Sequence, residues 1–409
     1  METSIKKPNT SLVSIAVFVF AIVIVLINLF SVIFPSFILT VVDASILNDK
    51  PFELGTWAIP VLVTNFAILI FAILYYTKKL PSFVKNSINF ILNFEVSRNV
   101  ATLVVVGLIF GYVGLGMEDL SIDETKTLGD FNRVRDTVEK WPFDGEGTEK
   151  TLFNLHVKNF LLKASYFLFQ NWRVVPFIVS ISLVLLTYFF TAEITKKRFA
   201  GIVAMIVFLQ SYTFETFDTV AAYENSWVLF FLLSLYLIIK KWFLSPVSYV
   251  ASLLSKPLTA TYFPMTLFFL YRTDMPRRKK FYLLFSYGII ALLALIGSLI
   301  LHIDIGGGIS KGLLTFDYID FWAGFTAWSF QLRFESIFLL FILPLTFALF
   351  WTSRRGFPHA DSVQILIAWA IIAMPLLTAM TTFNLHPYRY VALLDFFAIG
   401  VGTLLSKRN

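Results

Sequence analysis

The stretch SLVSIAVFVFAIVIVLINLFSVI, residues 11–33, contains 23 residues and no charged side chain. The hydrocarbon core of a bilayer is about 30 Å thick, and a helix of about 20 apolar residues crosses it. The stretch therefore predicts a membrane-spanning helix. It is too long for the apolar core of a signal peptide and lacks a small-residue cleavage site, so we expect it to remain as an anchor.

Similar apolar stretches recur along the chain. Nine more spans are predicted at 57–77, 100–116, 174–194, 200–214, 226–241, 281–301, 335–353, 363–382 and 388–405. Another apolar stretch, 246–271, is interrupted at Lys256-Pro257, where the proline disfavours a continuous helix. We expect it to form a hairpin of two short helices. The sequence thus predicts an all-α, polytopic integral membrane protein with about twelve transmembrane helices.

The composition agrees with a membrane protein. Apolar residues make up 57% of the chain and charged residues 14%, and the mean hydropathy is +0.77. Soluble domains contain about 25% charged residues, so a soluble fold could not cover this much apolar surface. There is no cysteine, which excludes disulfides, thiolate nucleophiles and cysteine metal sites. No Walker loop or hydrolase motif occurs, so we do not expect a nucleotide-driven pump.

The charges are distributed asymmetrically between the two predicted sides of the membrane. Cytoplasmic loops carry an excess of lysine and arginine. With the N-terminus inside, the inner segments hold 20 basic and 5 acidic residues, and the outer segments hold 12 basic and 20 acidic residues. One of the outer segments is a predicted loop over residues 302–334. We therefore expect a multi-pass protein of the cell membrane with both termini in the cytoplasm. Topology explains the net charge of +7, so no nucleic-acid partner is expected.

The longest predicted outer loop is the segment 117–171. Its first part, 117–150, holds ten acidic residues, and its second part, 151–170, repeats apolar positions at helical spacing. This pattern predicts an amphipathic helix at the membrane surface. Long loops on compact scaffolds often carry function. We expect residues 1–99 to form two N-terminal spans and a basic cytoplasmic loop, and residues 100–409 to form a core that includes the outer loop.

Several weak motifs follow one another along residues 100–405. They are the acidic pair in Ile122-Asp123-Glu124 with Glu118-Asp119 as an alternative, Asn171-Trp172-Arg173-Val174-Val175-Pro176 opening a span, Tyr223-Glu224-Asn225 before a Phe/Leu-rich span, SLLSKPLTATYFP at 252–264, and Arg389-Tyr390 before the last span. Their order and sidedness resemble those of the GT-C superfamily of membrane glycosyltransferases. Members such as the protein mannosyltransferases use polyprenyl- or dolichyl-phosphate sugars as donors.

The resemblance implies transfer of a sugar from a lipid-phosphate donor to an acceptor hydroxyl at the outer face, with inversion at the anomeric carbon. It implies that Asp123 is the base and that Glu124 orients it or acts as a second candidate. Partial burial would raise the pKa of Asp123 and make it a stronger base. The donor phosphate is assigned to Arg389, because a guanidinium is a permanent cation with a forked set of donors.

The resemblance also implies further substrate-binding residues and leaves metal dependence open. The remaining candidates for substrate binding are Tyr390, Lys256, Arg173, Arg333 and Glu224. A divalent metal ion, if one takes part, would be held by ligands from among Glu215, Asp218 and Glu224, and no other cofactor is indicated. The expected partners are a lipid-linked sugar donor and the bilayer.

Two functions from other classes remain open. A transporter would use Lys256 and Asp395, two charges predicted within the membrane, as a relay near the bilayer midplane. The sequence lacks the internal repeat that would favour this alternative. A non-catalytic GT-C-like subunit would instead use its outer loop to bind a membrane-protein partner.

Overall fold

The computed structural model describes residues 12–42, 50–141, 156–301, 316–357, 359–380 and 387–406. These residues are predominantly helical and contain no strand, so the predicted all-α class is confirmed for them. The α-helices are α1 (Leu12–Ile33), α2 (Pro35–Val42), α3 (Ala58–Tyr76), α4 (Ser82–Asn93), α5 (Arg98–Gly116), α6 (Glu124–Thr127), α7 (Gly129–Lys140), α8 (His156–Phe169), α9 (Val174–Thr195), α10 (Arg198–Leu209), α11 (Tyr212–Phe217), α12 (Ser226–Lys240), α13 (Ser245–Ser255), α14 (Phe263–Arg272), α15 (Arg277–Leu301), α16 (Tyr318–Leu332), α17 (Ser336–Arg354), α18 (His359–Met380) and α19 (Val391–Thr403). Short 3-10 turns lie at Glu118–Ser121, Trp242–Leu244, Pro257–Tyr262 and Pro387–Tyr390.

Among the described residues, six helical segments are long and apolar enough to cross a membrane. They are Leu12–Ile33, Ala58–Tyr75, Arg98–Ser121, Val174–Thr195, Ser336–Arg354 and His359–Met380. Shorter apolar helices lie at Arg198–Leu209, Ser226–Lys240 and Trp242–Ser255. The chain is therefore a helical protein with several candidate membrane spans. The count of twelve spans and the side on which each loop lies stay predictions.

The predicted break at Lys256-Pro257 is confirmed. Helix α13 ends at Ser255, and Lys256 has an extended backbone with φ −157° and ψ 117°. Pro257 then begins a 3-10 turn that leads into α14. The reason is steric, because proline has no backbone N–H and pushes the preceding residue out of the helical region.

Some helices lie where the sequence did not predict them. Helix α16 occupies the second half of the segment 302–334, which was predicted as a loop, and the structure places it against α18, α2 and α1. Helix α8 confirms the helix predicted within 151–170 from residue 156 onwards. The remaining part of the predicted outer loop, 142–155, lies outside the described residues.

The chain divides into two compact units that are interleaved in sequence. The first unit comprises Met1–Glu95, Thr191–Ala204 and Thr315–Asn409, and the second comprises Val96–Phe190 and Met205–Leu314. The predicted division at residues 99 and 100 stays a prediction.

The first unit is built around α18, which is buried along most of its length and packs against α1, α16, α17 and α19. Its core contains a small set of paired polar groups. The Oγ of Ser14 donates to Oδ2 of Asp361 at 2.7 Å and lies 3.1 Å from Oγ of Ser353. Such bonds are expected, because a polar group buried without a partner is costly.

In the second unit, α13 packs against α12, α8 and α15, and α8 also packs against α7. A small apolar cluster joins α7 and α8 to the chain that precedes α12. It consists of Phe131, Val138, Leu162, Val220, Ala221 and Ala222. This cluster holds residues 218–225, hereafter the 218–225 segment, against α7 and α8. Asp218 and Glu224 belong to this segment, and the side chains of Glu124, Arg173 and Lys158 contact it.

Candidate functional site

Asp123 lies at the N-terminus of α6 and is exposed to solvent. Its Oδ1 accepts hydrogen bonds from the hydroxyl of Thr125 at 2.6 Å and from the backbone N–H of Thr125 at 3.0 Å, as expected of a helix-capping aspartate. Its Oδ2 lies 3.6 Å from Nζ of Lys126. The bonds from Thr125 and the charge of Lys126 lower the pKa of Asp123. The hydrogen bonds from Thr125 outweigh the effect of desolvation, so the pKa of this carboxyl is lowered and not raised as the sequence led us to expect.

The neighbouring residue, Glu124, is buried. Its Oε1 lies 2.9 Å from Nε of Arg173, which is also buried. The backbone N–H groups of Ala221 and Ala222 donate to Oε1 at 2.7 Å and to Oε2 at 3.2 Å. Burial raises the pKa of Glu124, whereas the bond from Ala221 and the charge of Arg173 act in the opposite direction. Glu124 thus ties the acidic motif to the 218–225 segment.

The motifs around Glu124 and Arg173, predicted separately from the sequence, meet in the structure. Nη1 of Arg173 donates to the carbonyl of Asp119 at 2.7 Å and to Oγ1 of Thr219 at 3.2 Å. Asn171 donates to the carbonyl of Leu120 at 2.9 Å. These contacts engage Arg173 with protein groups, which favours a structural role for it over the predicted contact with a donor phosphate.

Lys158 on α8 is a buried cation that was not among the site residues predicted from the sequence. Its Nζ donates to the carbonyl of Ala222. Burial lowers the pKa of Lys158, and the nearby carboxylates of Glu224 and Glu124 partly offset that effect. The signal in the sequence was a lysine four residues before Leu162, a spacing that places the two residues on one helical face.

Helix α8 does not simply bury its apolar residues and expose its polar ones. The buried residues are Lys158, Asn159, Leu162 and Ser165. Two apolar residues of the predicted stripe, Phe160 and Phe167, are 58% and 78% exposed. The polar side of this helix therefore packs inside the second unit, and its aromatic side is left uncovered by the described residues.

Asp218 is a second buried carboxylate, only 2% exposed. Its Oδ2 accepts a hydrogen bond from the hydroxyl of Tyr112 at 2.6 Å, and its Oδ1 has no hydrogen-bond partner among the described residues. Burial raises the pKa of Asp218 to about 7, with a further contribution from Asp119 and Glu215, while the Tyr112 bond opposes the shift. This carboxyl can exchange a proton near neutral pH.

The candidate metal ligands do not form a metal site in the described part of the chain. Glu215 is exposed, and the carboxylate of buried Glu224 accepts a bond from the backbone N–H of Ser226 at the start of α12. Within the described ranges no three histidine, aspartate or glutamate side chains are grouped closely enough to hold a metal ion. We therefore assign no step to a metal.

The other predicted site residues lie in both units. Lys256 belongs to the second unit, where its Nζ lies 5.4 Å from the centroid of the Trp227 ring. The other three, Arg333, Arg389 and Tyr390, belong to the first unit. Arg333 is exposed and stacks on Phe334. The guanidinium of Arg389 lies 5.8 Å from the ring centroid of Tyr388, and Tyr390 is 1% exposed. One-step transfer requires the base and the donor phosphate site to lie close together, so we expect Asp123 to lie near Arg389, and this stays a prediction.

No protein-family model, curated protein or solved structure matches the chain. The resemblance to the GT-C superfamily therefore depends on the motifs of this sequence alone. The structure joins the acidic motif at 122–124 to the arginine motif at 171–173 through the ion pair of Glu124 and Arg173.

Proposed function

We propose that the chain transfers a sugar from a polyprenyl-phosphate donor to an acceptor hydroxyl at the outer membrane face, with Asp123 as the base. The observation that carries this proposal is the anchoring of Glu124 by Arg173 and by two backbone amides. Because Glu124 is fixed, the adjacent Asp123 is held at a defined place on the surface. A general base must reach the proton that it removes, and exposed Asp123 is accessible to a hydroxyl.

In the proposed reaction the acceptor oxygen forms a bond to the anomeric carbon. The bond from that carbon to the phosphate oxygen breaks, and the polyprenyl phosphate leaves with the electron pair. The proton of the acceptor hydroxyl passes to a carboxylate oxygen of Asp123. The lowered pKa keeps this carboxylate ionised at neutral pH, so it can accept the proton, and it also makes Asp123 a weaker base than an ordinary aspartate.

The growing charge on the phosphate requires a cation, and Arg389 remains the proposed ligand. A guanidinium suits this role because it stays charged and can donate two parallel hydrogen bonds. Lys256 is the second proposed ligand. Arg173 is better explained as a positioning residue, because its donors already contact Glu124, Asp119 and Thr219.

Asp218 is the alternative base, favoured by its pKa of about 7. A base with a pKa near the working pH is the most efficient. Its burial makes it less accessible than Asp123, and for this reason we propose Asp123. The pH dependence separates the two. With Asp123 as base the rate is flat between about pH 5 and 8, whereas with Asp218 it rises through about pH 7.

The test uses the purified full chain and a panel of polyprenyl-phosphate sugars, with release of polyprenyl phosphate as the readout. Asp123→Asn should slow transfer by about 100-fold or more, since it removes the basicity and keeps the shape. Exposed Asp136 on α7 supplies the matched control, and Asp136→Asn should transfer at the wild-type rate. Equal turnover in wild type and Asp123→Asn would exclude Asp123 as base.

The other functions predict different results in the same preparation. A transporter that uses Lys256 and Asp395 would show no turnover with any donor, and its flux would survive Asp123→Asn. A non-catalytic subunit would show neither turnover nor flux. Absence of turnover in wild type with every donor would therefore contradict the enzymatic proposal.

A further inference from the structure

Helix α4, Ser82–Asn93, is amphipathic and almost unpacked. None of its residues is buried. At 100° per residue, one side carries Lys85, Asn86, Asn89 and Asn93, and the opposite side is mainly apolar. Phe83 and Phe90 are 70% and 67% exposed. A helix of this length gains most of its stability from covering an apolar face, and no described residue covers this one fully.

The chain on either side of α4 limits what can cover that face. Five residues separate α4 from α3, which contains the candidate span Ala58–Tyr75, and four separate it from the candidate span Arg98–Ser121. An extended residue spans at most about 3.6 Å, so five residues reach roughly 18 Å. Both ends of α4 are therefore tied close to where these spans leave the membrane.

The surroundings of α4 within the first unit are basic. Lys78, Lys79 and Lys85 lie just before or on the helix. At its end, Nζ of Lys197 donates to the carbonyl of Leu92 at 2.7 Å, and the backbone N–H of Arg198 donates to Glu95 at 3.0 Å.

These two contacts place the turn between α9 and α10, with its sequence Lys196-Lys197-Arg198, at the C-terminal end of α4. Six basic residues thus accompany two acidic ones, Glu95 and Glu193. Lys197 is buried and Lys196 pairs with Glu193, so the other exposed basic residues beside the helix are Lys78, Lys79, Lys85 and Arg198. Clusters of lysine and arginine beside a membrane span attract anionic headgroups.

We propose that α4 lies in the membrane–water interface, with its apolar face toward the acyl chains and the flanking basic residues bound to anionic phospholipid headgroups. An interfacial helix buries its apolar face at the boundary between headgroups and acyl chains and adds electrostatic attraction to anionic lipid. This inference is independent of the proposed glycosyltransferase activity.

The absence of native cysteine makes the test direct, because a single introduced cysteine can carry a label. Full-length Ile91→Cys and Asn86→Cys are spin-labelled and reconstituted in phosphatidylcholine bilayers that contain phosphatidylglycerol. Both positions are exposed, and about 140° separates them around the helix axis. We expect the label at position 91 to be accessible to oxygen and shielded from a water-soluble nickel reagent, and the label at 86 to show the reverse. Equal exposure of both labels to the nickel reagent, or shielding of position 91 from both reagents, would overturn the proposal.

A second measurement tests the headgroup preference. A fluorophore on Ile91→Cys is quenched by lipids brominated on their acyl chains, either phosphatidylglycerol or phosphatidylcholine. We expect stronger quenching by the anionic lipid. When Lys78, Lys79 and Lys85 are changed to glutamine, this preference should fall by about fivefold per lysine, because each basic residue contributes about 1 kcal/mol to the attraction. The exposed Lys140 on α7 supplies the control, Lys140→Gln, which should keep the preference. An unchanged preference in the triple variant would contradict the electrostatic part of the proposal.

Discussion

Replacing Glu124 by glutamine tests the ion pair on which the candidate site depends. The substitution is nearly isosteric and keeps an oxygen that can accept from the backbone N–H of Ala221, so it removes mainly the charge. The Glu124 and Arg173 side chains are only 2% and 6% exposed. Breaking a buried pair by removing one partner costs about 3–5 kcal/mol, because the remaining charge is left uncompensated.

This cost should appear as local opening of the 218–225 segment. A change of 1.4 kcal/mol corresponds to a factor of ten, so the opening equilibrium should shift by a factor between roughly 10² and 4 × 10³. Hydrogen exchange measured by mass spectrometry on peptides covering 217–226 reports it directly, because the Ala221 and Ala222 amides donate to Glu124. We expect these amides to exchange faster by about that factor in Glu124→Gln.

Two further variants make the experiment decisive. Asp136→Asn removes an exposed carboxylate from nearby α7 and should leave exchange in the segment unchanged. Glu124→Gln combined with Arg173→Met removes both charges and should recover part of the protection, because no uncompensated charge remains. Unchanged exchange in Glu124→Gln, or a double variant as labile as the sum of both single changes, would refute the reasoning.

Two other predictions concern buried charges of the second unit. The folded-state pKa of Asp218, about 7, exceeds its ordinary value of 3.8, so its contribution to stability is fully present below the ordinary pKa and is lost as pH rises through about 7. Asp218→Asn should therefore unfold at the wild-type temperature at about pH 3 and become more stable than wild type as the pH rises, by up to roughly 4 kcal/mol at about pH 8. Identical pH profiles in thermal unfolding would contradict this. Lys158→Met leaves the Ala222 carbonyl without its donor and should lower the free energy of unfolding by about 1–3 kcal/mol. The control Lys140→Met should leave that free energy unchanged. An equal unfolding midpoint for the two variants would argue against the buried contact.

The positions of the apolar helices follow from the sequence because the hydrocarbon thickness fixes the length of an apolar stretch. The break at Lys256-Pro257 follows as well, since proline acts on its immediate neighbours. Helix α16, by contrast, was not predicted. It lies in an aromatic-rich stretch, and hydropathy alone does not tell whether such a stretch forms a packed helix or an interfacial loop.

The pairing of Glu124 with Arg173 could not be derived from local pattern. The two residues are 49 positions apart, and their contact depends on how α5, α6 and α9 are arranged. The sequence singled out both residues by resemblance but assigned Arg173 to substrate. Lys158 was not predicted because a lysine on an amphipathic helix ordinarily points to solvent. Here a backbone carbonyl and three nearby carboxylates stabilise it in a buried position.

The geometry of the acidic pair explains why its two members would have different roles. Asp123 caps the first turn of α6 and Glu124 is the first residue within it, so their side chains leave the backbone in different directions. If one carboxylate is held by Arg173 and two amides, the other is directed away from that interior and toward solvent. Loss of Glu124 should therefore slow transfer without removing the base, by allowing Asp123 to move from its place. Misplacement of a reacting group by about 1 Å can cost a factor of about 100, so Glu124→Gln should lower the rate while leaving its pH profile unchanged.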